Sequence, residues 1–282
     1  MIQEGMLDLR KPEPLLAQLC TIAAAAGTAI LEVYGRDFAV QYKDDRSPLT
    51  EADEVSERII AERLRALDDS VPILSEESAP PDPATRRAWA RYWLVDPLDG
   101  TKEFLKRNGE FTVNIALVDG GRAVLGVVLA PALDRIYYGA LTAGAWRRDD
   151  GGLPKPIYVS LPAAEPPRVV SSRSHATGEL AEYLAALGPH VITPMGSSLK
   201  ICLVAEGAAD LYPRLGPTSE WDTAAAQAIL ESAGGRMIDD VGRPLRYNTK
   251  DDLLNPHFLA FGDTRRDWLV PFRQTRGPEN RN

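Results

Sequence analysis

Two cysteines and three histidines in 282 residues leave little material for soft-metal or thiol chemistry. Cys20 and Cys202 stand far apart, in no metal or redox spacing, and are expected as buried, reduced apolar residues. His175, His190 and His257 do not cluster in the sequence, which argues against a histidine-rich zinc site. Positive charge is short as well: 32 lysines and arginines face 40 acids, giving a formal net charge of −8. No basic footprint for a nucleic-acid polymer is present. A small anion remains an admissible substrate if local cations or bound metal offset its charge. No apolar run reads as long enough to span a bilayer, so no integral membrane segment is expected. The opening MIQEGMLDLRKPEP lacks the basic-then-apolar order of a signal peptide. No internal repeat is found.

What is there has a clear order. Leu15, Leu19, Ile22, Ala26, Ile30 and Val33 recur at helical spacing. A second helix is predicted from LTEADEVSERIIAERLRAL, with Thr50 as cap. Six strand-like runs follow (VPILS, RYWLVD, FTVNIALVD, AVLGVVLAP, RIYYGAL and GAWRR), which predicts a large, mainly antiparallel sheet. DDGGLPKPIYVSLPAAEPP is rich in proline and glycine and reads as a lobe boundary. Strands and helices then alternate, as in α/β folds, with helices expected near 177–187, 198–206 and 221–233. The expected division is an α+β lobe over 1–155 and an α/β lobe over 156–282, acting as one catalytic unit.

Acids collect at the ends of these elements. Asp53 lies in the first turn of the second helix, and Glu76 and Glu77 follow VPIL. Asp96 and Asp99 follow WLV, and Asp222 opens WDTAAAQAILESAGG. Each has a plain alternative. Asp-Gly is a common turn, Thr50 and Asp53 resemble a capping box, Glu76-Glu77 suits a wet loop, and Asp222 suits an N-cap. Taken together, four or five carboxylates without histidine or cysteine suit a hard cation such as Mg²⁺. Pro97 aims the two aspartates, the Leu98 carbonyl can add an oxygen, and Gly100 lets the backbone approach an anion. Thr101 then starts a short helix whose free N–H groups favour phosphate. Two-metal sites of this kind suit phosphoryl transfer.

DPLDGT, with SEE and TEAD upstream and WDTAAAQAILESAGG downstream, resembles the inositol monophosphatase superfamily of Mg²⁺-dependent, lithium-sensitive phosphatases. The likeness runs from about Leu15 to Phe261. It implies a layered α-β-α-β-α sandwich of the sugar-phosphatase type, with two or three Mg²⁺ ions between the lobes. Glu76, Asp96, Asp99, Asp222 and the Leu98 carbonyl match the metal ligands. Asp53 and Thr101 match the pair that activates water. Ala226 departs from the glycine many members carry, inside an expected helix.

The second half should choose the phosphate ester. In GSSLK, Ser197 as a helix cap would place Lys200 in the first turn, against the helix dipole and beside free N–H groups. That suggests an anion site; the alternative is a lysine snorkelling to water. SSRSH offers Ser172 and His175 at a strand end, and Arg214 in LYPRLGP can grip phosphate in a bidentate way or simply face solvent. With DGTKEFLKRNGEFTVNIALV, these stretches are similar to the bacterial 3′(2′),5′-bisphosphate nucleotidases. That likeness implies hydrolysis of 3′-phosphoadenosine 5′-phosphate to AMP and phosphate, in support of sulfate assimilation. It also implies a cytoplasmic protein, free or peripheral on the inner face of the membrane. Ser172, His175, Ser197, Lys200 and Arg214 would contact the nucleotide, with Glu76, Leu98, Asp99, Gly100, Thr101 and Asp222 around its phosphate. An inositol or sugar monophosphate phosphatase is the alternative, and a non-catalytic nucleotide or cation sensor the second. Oligomeric state is left open.

Overall fold

A computed structural model of the chain describes residues 7–37, 40–42, 48–172 and 178–275. It opens with α1 (Glu13–Tyr34), an antiparallel ribbon of β1 (Val40–Tyr42) and β2 (Pro48–Thr50), and α2 (Glu51–Leu67). The predicted stripe of α1, from Leu15 to Val33, is buried. By length and composition α1 is also apolar enough to cross a bilayer, with a mean hydropathy of 1.7 over its most apolar window. This corrects the expectation that no such run exists. Its apolar stripe, however, is covered by α2 and the first sheet, and half of that window is buried. Thr50 and Asp53 form the expected capping box at the start of α2.

Next come β3 (Ile73–Ser75), α3 (Pro83–Arg87), β4 (Arg91–Asp99), α4 (Thr101–Leu105), β5 (Thr112–Asp119), β6 (Arg122–Ala130), β7 (Arg135–Ala140), β8 (Gly144–Asp149) and β9 (Lys155–Pro156). The strands form one sheet in chain order, antiparallel except for β3 beside β4. The six predicted strands are all present. The seventh, β9, is two residues long and lies in the stretch read as a boundary. Its proline fits an edge position, where one missing N–H is harmless.

The remainder is β10 (Arg168–Ser172), α5 (Gly178–Leu187), β11 (Val191–Met195), α6 (Leu199–Ala205), β12 (Leu211–Arg214), α7 (Ala224–Ser232), β13 (Arg236–Asp239), β14 (Phe258–Phe261) and α8 (Val270–Thr275). The second sheet runs β11-β10-β12-β14-β13. Its first three strands are parallel, and β14 is antiparallel to both neighbours.

Side-chain alternation explains the layering. On β4 and β5, Trp93, Val95, Val113, Ile115 and Leu117 face α1 and α2. Tyr92, Leu94, Ala116 and Val118 point the other way, toward α6, α7 and the second sheet. Val169, Leu211, Leu259 and Phe261 then pack against α5 and α8. The result is the layered α-β-α-β-α arrangement. The central layer is tight: a Cβ on Gly126 of β6 would sit 2.1 Å from the Ala225 carbonyl oxygen of α7, so only glycine allows this approach.

Candidate active site

The two aspartates of DPLD do not sit in a free turn. They belong to β4, which pairs Asp96 with Asn114 and Asp99 with Thr112. Three steps on one strand thus match two on the other, which is a β-bulge at Pro97-Leu98. In a regular strand, residues three apart point to opposite faces. The extra residue returns Asp99 to the face of Asp96, Leu94 and Tyr92, toward the second sheet. Ser56 of α2 donates to the Pro97 carbonyl at 2.7 Å and anchors the bulge.

Three of these acids converge. Carboxylate oxygens of Glu76, Asp96 and Asp222 lie within 4.8 Å of one another. Asp96 is fully buried; its Oδ1 accepts the Leu98 N–H at 3.1 Å, and its Oδ2 has no hydrogen-bond partner among the described residues. Burial, followed by the charges of Glu76, Asp99, Asp222 and Asp53, holds the Asp96 carboxyl well above the usual range. Burial and Asp222 also push Asp99 up, against the pull of Lys200 and the Ser198 N–H. Close like charges around an unpartnered carboxylate oxygen are costly for the protein alone, and a divalent cation would relieve them. An all-oxygen donor set fits a hard ion.

Asp222 departs from its expected place. It stands two residues before α7, whose cap is Thr223. Its Oδ2 accepts from the Thr218 hydroxyl at 2.5 Å and the Ser219 N–H at 2.9 Å, so the preceding loop aims it. Asp53 is buried, accepting from the Thr50 N–H and hydroxyl, each at 2.7 Å. Thr101 begins α4, and its hydroxyl lies 3.5 Å from the Leu98 carbonyl oxygen. Gly100 has a left-handed φ of 88°, which carries the chain from the strand into that helix.

A cleft of about 390 Å³ is lined by Glu76, Asp96, Leu98, Asp99, Gly100, Thr101 and Asp222, but not by Asp53, and extends along the second half of the chain. Ser172, Ser197, Lys200 and Arg214 all line it. His175 lies outside the described residues. Ser197 is not the cap of α6; Ser198 is, and Ser197 adopts a left-handed φ of 46°. Lys200 does not snorkel to solvent. It is buried, donates to the Ser197 carbonyl at 2.5 Å and lies 5.5 Å over the Tyr212 ring. Burial lowers its ammonium to about 8, opposed chiefly by the Asp99 charge. Arg214 donates to the Pro217 carbonyl, while its buried Nε has no partner among the described residues.

Sequence reasoning missed the groups that tie the two sheets together. Ser198 donates its N–H to Asp99 at 2.5 Å and its hydroxyl to Asn114 at 2.8 Å, and it lies 2.9 Å from the Thr112 hydroxyl. The two β5 residues are the cross-strand partners of Asp96 and Asp99. Their polar side chains within an apolar strand were the available signal.

Comparison with known proteins gives a consistent result. The profile of the inositol monophosphatase family matches residues 11–263. The 3′(2′),5′-bisphosphate nucleotidase CysQ of Escherichia coli (strain K12) is 52% identical over 246 residues, covering 86% of this chain and 98% of the relative. The protein of that name from Buchnera aphidicola subsp. Acyrthosiphon pisum is 43% identical over 250 residues, covering 87% and 93%. The crystal structure of CysQ from Bacteroides thetaiotaomicron superimposes with a TM-score of 0.77 at 40% identity, covering 90% of this chain and 98% of that one.

Proposed function

The chain belongs to the inositol monophosphatase family, and on that premise we propose that it is a metal-dependent 3′(2′),5′-bisphosphate nucleotidase. Its reaction is hydrolysis of 3′-phosphoadenosine 5′-phosphate to AMP and phosphate, which clears a by-product of sulfate assimilation. The observation that carries the chemistry is the convergence of carboxylate oxygens of Glu76, Asp96 and Asp222 within 4.8 Å of one another, with Asp96 fully buried. The substrate rests on the identity to named nucleotidases over 86% of the chain.

Glu76, Asp96, Asp99, Asp222 and the Leu98 carbonyl would hold two or three Mg²⁺ ions. Bound there, the ions would supply an activated water and neutralise charge on the phosphoryl oxygens. The chain's own groups do the rest. Asp53 and Thr101 orient the attacking water, with Asp53 as the proton acceptor. Gly100 brings the backbone close to the transferring phosphate. Lys200, Ser172, Ser197 and Arg214, with His175, receive the other phosphate and the nucleoside. Lys200 remains mostly protonated at neutral pH, and a nearby phosphate dianion would raise its ammonium further. The two lobes, 1–155 and 156–282, act as one catalytic unit, because Asp222 and Lys200 come from the second and the remaining acids from the first. With its two cysteines buried and free, the chain suits the reducing cytoplasm, whether dissolved or peripheral at the membrane's inner face.

The test is phosphate release by purified protein from 3′-phosphoadenosine 5′-phosphate, inositol 1-phosphate and fructose 1,6-bisphosphate, with Mg²⁺ and with chelator. The expected result is Mg²⁺-dependent turnover with the highest kcat/KM on the nucleotide. Preference for inositol 1-phosphate would transfer the chain to the sugar-phosphate branch. Absence of turnover on all three would favour a sensor.

A further inference from the structure

Beyond Asp53, α2 presents two more polar groups toward the acidic site. Ser56 holds the bulge of β4, as described. Glu57, the next residue, reaches the other acidic segment. Its Oε2 accepts from the Ser75 hydroxyl at 2.6 Å, and its Oε1 accepts from the Ser78 hydroxyl at 2.7 Å. The two serines bracket Glu76 and Glu77. Ser75 is buried at the end of β3, a strand of three residues, and Ser78 is exposed. A backbone bond from the Ser78 N–H to the Ser75 carbonyl, 3.4 Å long, closes the turn, and the Glu76 N–H bonds the Val95 carbonyl at 3.2 Å. A carboxylate is suited to this task, because its two oxygens sit in a rigid fork and accept from two hydroxyls at once. Glu57 thus grips both ends of the turn that presents Glu76 to Asp96 and Asp222.

We propose that Glu57 is a positioning residue for cation capture: by clamping the Ser75–Ser78 turn to α2, it fixes the Glu76 carboxylate in the oxygen cluster. The proposal rests on the reading that this cluster holds a divalent cation. Groups that orient metal ligands typically change metal affinity by about 10- to 100-fold when removed. A residue serving only as a cross-link of the fold would change stability instead. A residue serving only as an extra negative charge would be replaceable by no neutral side chain.

Three proteins separate these roles: wild type, Glu57→Ala and Glu57→Gln. Each is stripped of metal, titrated with Mg²⁺ by isothermal calorimetry, and melted in EDTA. Glu57→Ala should bind Mg²⁺ about 10- to 100-fold more weakly, with an EDTA melting point close to that of wild type. Glu57→Gln should recover to within about 3-fold of wild type, since its amide can accept from one serine and donate to the other. Equal Mg²⁺ affinity for wild type and Glu57→Ala would overturn the proposal. So would a Glu57→Gln protein as weak as Glu57→Ala, which would make charge the contribution. Should Glu57→Ala fail to fold, Ser78→Ala carries the test at an exposed position: weaker Mg²⁺ binding supports the clamp, and unchanged binding overturns it. A wild type that takes up no Mg²⁺ would sink the metal reading and this proposal together. Uptake shared equally by wild type and Glu57→Ala sinks only the proposal.

Discussion

Replacing Glu220 by glutamine should stabilise the protein, and by more as the pH rises. Glu220 is 1% exposed. Its Oε2 accepts the Asn248 N–H at 2.8 Å, and its Oε1 has no hydrogen-bond partner among the described residues. Burial pushes its carboxyl up to about 7, although the Asn248 N–H, Lys250 and Arg86 pull the other way. The unfolded chain has the ordinary value of 4.5. Between those two values the folded state holds the proton more tightly than the unfolded state does. This contribution is therefore fully present at low pH and is lost as the pH rises through about 7. The gap corresponds to roughly 3 kcal/mol, at about 1.4 kcal/mol per pH unit. Glutamine stays neutral and keeps an acceptor for the Asn248 N–H, and the pH-independent cost of its unpartnered amide N–H groups cancels when two pH values are compared. About 2.5 kcal/mol of that gap falls between pH 5 and pH 8, so at about 2 °C per kcal/mol for a chain of this size the advantage of Glu220→Gln in Tm should grow by about 5 °C over that range. Paired melts of the two proteins in EDTA measure this directly, and titrations shared by both cancel in the difference. Two Tm curves that run parallel across that range would refute the assignment of a strained buried carboxylate.

Asp96→Asn should nearly abolish turnover while raising the melting point of the metal-free protein, because it removes the most crowded charge of the cluster; near wild-type activity at limiting Mg²⁺ would contradict its role. Thr101→Ala should lower kcat by about 10²-fold or more, the usual range for a positioned proton-transfer group, and a change confined to KM would exclude that role. Lys200→Ala should lower kcat/KM for 3′-phosphoadenosine 5′-phosphate by about 10- to 150-fold, the effect of losing one charge-assisted contact. Inositol 1-phosphate, with no second phosphate to lose, should suffer much less, and equal losses on both substrates would make Lys200 a structural residue.

Glu76, Asp96 and Asp99 were legible because they stand where an apolar run stops, and charge at such a point is visible in one dimension. Thr50 and Asp53 were legible for the same local reason, as a cap and its return partner three residues on. What escaped depends on contacts distant in sequence. Ser56 meets Pro97 across 41 positions and Glu57 meets Ser75 across 18, so nothing near either residue announces the bond. The cap of α6 was placed one residue early because Ser197 takes a left-handed conformation that its neighbours in sequence do not demand. Strand β9 was hidden by the proline that suits it to an edge. Asp222 was read from the dipole of the helix after it, whereas Thr218 and Ser219 before it hold its carboxylate.

The bulge in β4 also governs which hereditary changes this motif can absorb. Along an unbroken strand, two side chains share a face only when an odd number of residues separates them. Asp96 and Asp99 are separated by two, and the bulge takes up the difference. Exchanging Leu98 for another residue preserves that count, because the group it offers to the site is a backbone carbonyl. Inserting one residue does not. With three residues between the aspartates, the strand would either widen its bulge to keep Asp99 beside Thr112, or run unbroken and carry Asp99 past that partner and away from the Ser198 N–H. Length between the two aspartates is therefore constrained by the pairing with β5, and composition by burial, since Leu98 is 2% exposed within the apolar cluster of the first sheet.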